Sequence, residues 1–391
     1  MVYIAEAGTY TFGNNSDDGA RIQVQGVRVV NADQAQGTTD AFGTMTFEKA
    51  GFYDLRYTYF ERAGGASAEL FAAKGAHTVW DAGAFRLVGD VAAGGLAVYS
   101  PKGWLADASG SWSSAANWRD GEIADGADAF TTFSLVDLSA DRTITIGDSE
   151  TVTMGHVRFG DVDVTGGPHG WTVAGAGTLE LIATTGQPVL DVVNSQATIE
   201  ATLSADSGFE KQGDGTLLLA GTQTYTGNAT VSEGVLAIAS TDALPGWNIA
   251  GRYTVAEDAA LIVGNSVTDD DLADMIATGN YQAGAGAGFL ATGGNRTFSG
   301  VLTDTSNGAL ALVKGGEDTL ELTGANTYTG GTVVREGTLS LGAADALPAD
   351  TVVTLGGGGT GGALVLNGYS QQVSGLQTAG AGGATSRLVN G

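Results

Sequence analysis

The sequence predicts an all-β protein, a parallel β-helix (solenoid) preceded by a partial antiparallel β-sandwich, and three observations lead there. The first is punctuation by glycine: 63 of 391 residues are Gly, against 5 Pro. No strict three-residue period accompanies them, so the composition is not collagen-like. Between the glycines lie short β-prone strings closed by turn residues, "TLLLAG", "TLELTG" and "ATIEATLSA". The second is an internal repeat. Residues 211–245 align with residues 314–348 without a gap, at an offset of 103 from Tyr225 to Tyr328, and about half the positions are identical. The third is a change of texture near Ser100-Pro101, before which aromatic and β-branched residues alternate with polar ones. Helical periodicity is nearly absent.

Residues 1–100 contain "TYTFG", "ARIQVQGVRVV", "FGTMTFEKAGFYDLRYTYFE" and "ASAELFA". Arg21, Gln23 and Gln25 alternate with Ile22, Val24 and Val27. Two-residue alternation between polar turns is the pattern of antiparallel sandwich strands. Beyond that boundary residues 110–130 read "GSWSSAANWRDGEIADGADAF", where Trp112 and Trp118 are suited to plug the open end of a stack, as a capping element must. Sugar stacking is the other reading of that Trp pair.

Within one repeat, "G-x-x-T-L-x-L-x-G" is a strand with Leu320 and Leu322 on one face and Glu321 on the other. "N-T-Y-T-G-G-T" is a corner, and "TVVREGTLSLG" is the next strand, with Val334, Leu339 and Leu341 continuing the buried set. Strands this short cannot bury a face alone, so each must stack on its equivalents above and below. Lys211 and Lys314 recur at one repeat position, which marks them as structural. Between the repeats, residues 266–276, "SVTDDDLADMI", predict a short helical insertion. Thr268 can cap it, and Asp269, Asp270 and Asp271 lie where a helix N-terminus favours negative charge. Leu272, Met275 and Ile276 have the spacing to pack on the solenoid.

Charge and residue usage exclude several functions. With 43 Asp plus Glu against 17 Lys plus Arg, the formal net charge is −26; a nucleic-acid partner is excluded, because counterion release needs clustered cations. No Cys is present, so neither a disulfide framework nor thiol chemistry exists. No window approaches a membrane-spanning run of about 18 apolar residues. "MVYIAEAGTYTF" lacks the basic and apolar regions of a signal peptide. The expectation is a fragment whose signal peptide lies upstream and whose C-terminal "GGATSRLVNG" breaks off within repeat-like sequence.

The segments "GDGTLLLAGTQTYTGNATVSEGVLAIAS" and "DTLELTGANTYTGGTVVREGTLSLG" resemble the autotransporter-associated β-strand repeat, whose core is G-x-G-T-L-x-L-x-G-x-N-T-Y-T-G-G-T. Gln223 and Asn228 depart from that core. The resemblance implies a right-handed β-helix of the passenger type over residues 101–391; it does not imply a catalytic activity. Residues 9–71 resemble the C-terminal half of a PA-fourteen (protective-antigen-type) domain, carried by Ser16, Asp17, Asp18, Gly19, Arg21 and Gly26. Half a sandwich would leave Ile22, Val24, Leu55 and Tyr57 short of cover.

Together these resemblances imply a structural or adhesin-like extracellular surface protein, a β-helical stalk carrying a glycan-binding sandwich. No cofactor is required. In yeast adhesins of the PA-fourteen family a paired Asp on this loop holds Ca²⁺, which contacts sugar hydroxyls. Asp17 and Asp18 match that pair, and Glu61, in "FERAGGAS", could add an oxygen; hard carboxylates suit Ca²⁺. The plain alternative is an Asx-type turn between strands. The expectation is therefore no enzyme, with cell-surface or environmental glycans as partners. The alternative is a polysaccharide-active β-helix, a lyase or hydrolase, although His77, His156 and His169 are scattered and no zinc or phosphate-loop motif occurs.

Overall fold

Alternating burial along short strands builds two compact units, Met1–Pro101 and Lys102–Gly391, in the computed structural model. It describes residues 1–163, 169–357, 359–379 and 386–390; half of "GGATSRLVNG" lies outside the described residues.

The first unit has nine strands: β1 (Val2–Ile4), β2 (Gly8–Asp17), β3 (Gly19–Val24), β4 (Val27–Ala32), β5 (Thr39–Phe47), β6 (Gly51–Tyr53), β7 (Leu55–Phe60), β8 (Ser67–Lys74) and β9 (Arg86–Leu87). They form antiparallel sheets ordered β5-β2-β8-β9 and β4-β3-β7, and a β1-β6 pair. The β3–β4 hairpin turns on Gln25 and Gly26, both at positive φ (50° and 73°), as a two-residue loop matched to strand twist requires. Tyr10, Phe12 and Phe47 from one sheet pack with Ile22, Val24 and Val30 from the other. The expected loss of cover does not occur. Ile22 and Val24 are fully buried, and Leu55 and Tyr57 pack against the same core. The inward positions of β3 already meet the four-stranded sheet within these residues.

In the second unit every strand pairing within the named sheets is parallel, and the stack is a β-solenoid. A seven-stranded sheet runs from Lys102–Gly103 to Tyr253–Val255, and a twelve-stranded sheet from Gly110–Ser111 to Gly375–Thr378. Thr151–Met154, Thr178–Leu181 and Thr202–Ser204 form a third face early in the chain. A five-stranded sheet begins at Arg296–Phe298. The inward column Trp171, Ala197, Leu217, Leu236, Leu261, Ala287 and Leu312 shows strict register. Leu217, Leu320 and Leu322 are fully buried while Glu321 points outward. Leu320→Ala should cost roughly 2–5 kcal/mol through its cavity; a loss below about 0.5 kcal/mol in chemical denaturation would place Leu320 outside the core.

The inserted helix, α1 (Asp269–Ala277), is capped as its sequence directs. Thr268 Oγ1 accepts from the Asp271 N–H at 3.1 Å, and the Asp271 carboxylate accepts from the Thr268 N–H at 3.1 Å. Leu272 and Met275 are buried and Ile276 packs beside them. The Asp269 carboxylate pairs with Arg296 at 2.7 Å. No helix among the described residues is long and apolar enough to cross a membrane.

The two repeats occupy different sheets. Lys211 lies in the seven-stranded sheet and Thr216–Leu219 in the twelve-stranded one, whereas Lys314 lies in the twelve-stranded sheet and Thr319–Leu322 in the five-stranded one. The shift of one face happens after the α1 insertion. The seven-stranded sheet ends at Tyr253–Val255 with a single bridge from Val255 to Tyr281. The next strand, Gly286–Leu290, joins Ala260–Val263 to Ala311–Gly315. It carries glycine where its neighbours touch across it: a Cβ on Gly286 would lie 2.7 Å from Val313 Cγ2 and 2.9 Å from Ala260 Cβ. The sheet is therefore creased outward at this strand. The outward-facing Val235, Ala237, Ala260, Ile262, Leu290 and Val313 are at most 5% exposed and form a second apolar cluster inside the crease.

Candidate functional site

Asp17 ends β2 and Asp18 precedes β3, at the corner where the chain crosses from the four-stranded sheet to the three-stranded one, and its geometry is set by close packing. A Cβ on Gly19 would stand 2.8 Å from the carbonyl oxygens of both Ala32 and Gln34, so the Gly of "SDDG" is dictated by close backbone approach. The peptide bond between Asp17 and Asp18 is cis. Asp18 is 7% exposed, and its carboxylate oxygens accept from two loops: Gln36 N–H at 3.0 Å and Arg62 N–H at 2.8 Å. One side chain thus ties the loop after β4 to the loop after β7.

Asp17 is half-buried, with Thr38 Oγ1 3.5 Å from its Oδ2. The Tyr59 hydroxyl stands 2.7 Å from the Asp17 carbonyl oxygen and 2.9 Å from Glu61 Oε2. Burial, then the Glu61 hydrogen bond and the nearby Glu61, Asp17 and Asp18 charges, push this phenol up to about 12. It stays a donor across the physiological range. Among the buried polar atoms of this unit without a partner are Ser67 Oγ, cross-strand from Asp17, and Gln36 Nε2, in the loop tied by Asp18.

The structure brings Asp17, Asp18 and Glu61 around Tyr59, but not into a three-carboxylate cage. Among the described residues no group of three or more His, Cys, Asp or Glu side chains is placed to hold a metal ion. Glu61 is spent on the Tyr59 hydroxyl and is otherwise exposed. The remaining donors, two carboxylates and nearby backbone carbonyls, are hard oxygens of the kind Ca²⁺ takes. Each Asp18 oxygen keeps one lone-pair direction beyond the N–H it accepts.

The other sequence candidates are structural. Trp112 and Trp118 are fully buried with Trp104, Trp171 and Phe133. Their indole N–H groups donate to the carbonyls of Ala124 (2.7 Å) and Trp112 (2.6 Å). They are the plug, and burial removes the sugar-stacking reading. Lys211 is wholly buried and donates to the carbonyls of Gln212 (2.8 Å), Gly213 (2.6 Å) and Glu233 (3.2 Å). Lys314 does the same toward Gly316 and Glu336. Burial pushes these ammonium groups down, to about 7 and about 8. Neither lysine can meet a uronate at the surface. Burial likewise holds His156 down to about 4.

Sequence reasoning missed Tyr59, Gln36 and Ser67, which approach the Asp pair only through cross-strand pairing. It also missed Trp80, 47% exposed and stacked on Phe85 at 5.3 Å and 11°. The adjacent exposed pair Val79-Trp80 was the available signal.

Comparisons with known proteins match separate stretches of the chain. The passenger-associated-transport-repeat family matches residues 209–238 and 312–341, and the PA14 domain family matches residues 1–81. The chain is 36% identical over 138 residues to a protein described as adhesin BmaC autotransporter, from Brucella suis biovar 1 (strain 1330). That alignment covers 33% of this chain and 4% of the relative, so the chain spans a small part of the relative's length. No solved structure matches the chain at a significant level.

Proposed function

We propose that this chain is a segment of an adhesin-like extracellular surface protein, in which the sandwich binds glycans without turning them over and the solenoid carries it. The single observation that carries the reading is the corner at Asp17 and Asp18. Asp18 holds two loops together while Asp17, Ser67 Oγ and Gln36 Nε2 leave hydrogen-bonding capacity open beside them. Buried polar groups without partners are costly unless a ligand or water satisfies them, and sugar hydroxyls can both donate and accept. Ca²⁺ would be held by Asp17 and Asp18, with Glu61 contributing only if it leaves Tyr59, and it would supply Lewis-acid contact to ligand hydroxyls. The relative's description as an adhesin and the matching passenger repeats support placing the chain at the cell surface.

A glycan array probed with the whole chain tests this. Retention of specific glycans in Ca²⁺, lost at least tenfold with a chelator and with Asp17→Asn or Asp18→Ala, is the expected result. Asp17→Asn keeps the shape of the corner and removes its charge, so it separates ligand loss from loop collapse. An array without binding, or binding indifferent to both substitutions, rules the reading out.

A further inference from the structure

The crease in the solenoid makes a groove with two walls of different chemistry. One wall is the outward face of the early twelve-stranded sheet, with Thr172, Thr198 and Thr216 on that face and Ser195 and Gln196 at the strand entry. The facing wall is the row of turns that leave the later strands of the same sheet, bearing Glu317, Arg335 and Glu336. Arg335 joins the walls: its Nη2 donates to the Asp214 carbonyl at 2.6 Å, across 121 residues of sequence. The cavity between the walls is about 360 Å³, within the range of small-ligand sites. Leu218 supplies apolar surface, with the buried Leu290 beneath the groove floor.

We propose that this groove is a second carbohydrate-binding site, selective for a short stretch of neutral glycan, and independent of the sandwich corner. Ser195 is 5% exposed and its hydroxyl has no hydrogen-bond partner; a buried hydroxyl calls for a partner, and a ligand hydroxyl in the groove would supply one. Arg335 spends one of its five donors on Asp214, and the threonine hydroxyls and carboxylates add acceptors. Sugar hydroxyls match that mixture, while a sugar's C–H face suits Leu218. A peptide strand is disfavoured, because the sheet strands here are paired on both sides and offer no free edge to extend. Selectivity for neutral ligands follows from charge. Asp141, Glu317 and Glu336 outnumber Arg335 in the lining, on a chain of net charge −26. A polyuronate would meet repulsion.

The test uses the whole chain carrying Asp17→Asn and Asp18→Ala, which removes the sandwich site. Saturation-transfer NMR and calorimetry with cellotriose, maltotriose and mannotriose should detect binding of at least one, and trigalacturonic acid should bind at least tenfold more weakly. Ser195→Ala and Thr198→Val, each added alone, should weaken the bound trisaccharide at least fivefold. Ser195→Ala should do so with an unchanged or higher Tm, since it deletes an unsatisfied hydroxyl; a purely structural serine would lower Tm instead. No neutral trisaccharide bound, equal binding of the uronate, or affinity unmoved by both groove substitutions overturns the proposal. Trisaccharide binding seen in the native chain but lost in the Asp17→Asn, Asp18→Ala background also overturns it, and leaves the sandwich reading standing.

Discussion

Gly288→Ala is expected to cost about 3 kcal/mol or more, the upper end of overpacking effects. The added Cβ would collide with the carbonyl oxygen of Val313, a backbone atom held in the sheet ladder. Relief requires moving Ala311–Gly315 away from Gly286–Leu290, which opens the crease and exposes Ile262, Leu290 and Val313. Gly251 is the control. It sits at φ +78° with nothing within 4 Å of where an added Cβ would stand, so Gly251→Ala should cost only the left-handed penalty of about 1 kcal/mol. Urea denaturation of the two variants decides the matter. Equal costs would mean that the sheet is not folded over on itself at Gly288.

Lys211→Met should cost about 3–5 kcal/mol at neutral pH, the scale for breaking a buried polar network by removing one partner. Methionine fills the volume but leaves the carbonyls of Gln212, Gly213 and Glu233 facing an apolar chain. The cost should also depend on pH with a definite sign. Lys211 titrates near 7 in the folded chain, down from its ordinary 10.5 because of burial. Between those values the unfolded chain holds a proton that the native chain has released. Lys211 therefore adds stability as pH rises from about 7 toward 10.5, and the methionine variant lacks that gain. The stability gap between the two proteins should widen from pH 7 to pH 9.5 in matched urea titrations. A gap that stays flat or narrows would mean that the ammonium stays charged in the fold.

Much of the solenoid was legible because inward and outward positions alternate with period two. Leu320, Glu321 and Leu322 announce their faces, and the ungapped repeat announces stacking. Thr268 and the following aspartates marked the helix start for the same local reason. The crease was not legible, because alternation says which way a side chain points and not which sheet its strand will join. Val235, Ala237 and Ile262 face outward yet are covered by Leu290 and Val313 from later strands, a contact that no local pattern announces. At the sandwich corner, Asp17 and Asp18 stand out as a motif, whereas Tyr59 reaches Asp17 across 42 residues and takes up Glu61 on the way. Ser195 and Arg335 share a groove but no pattern in sequence. Contacts between distant segments are where reading from residues alone stops.

The claim that this chain holds glycans without cleaving them is tested most directly by size-exclusion chromatography. The chain would be incubated with a polysaccharide that it retains on the array, and both components would be followed through the column. Protein co-eluting with polysaccharide of undiminished length, in Ca²⁺ and over many hours, is the expected result. Shortened polysaccharide, or new reducing ends or unsaturated uronate in the fractions, would contradict it and make the chain an enzyme.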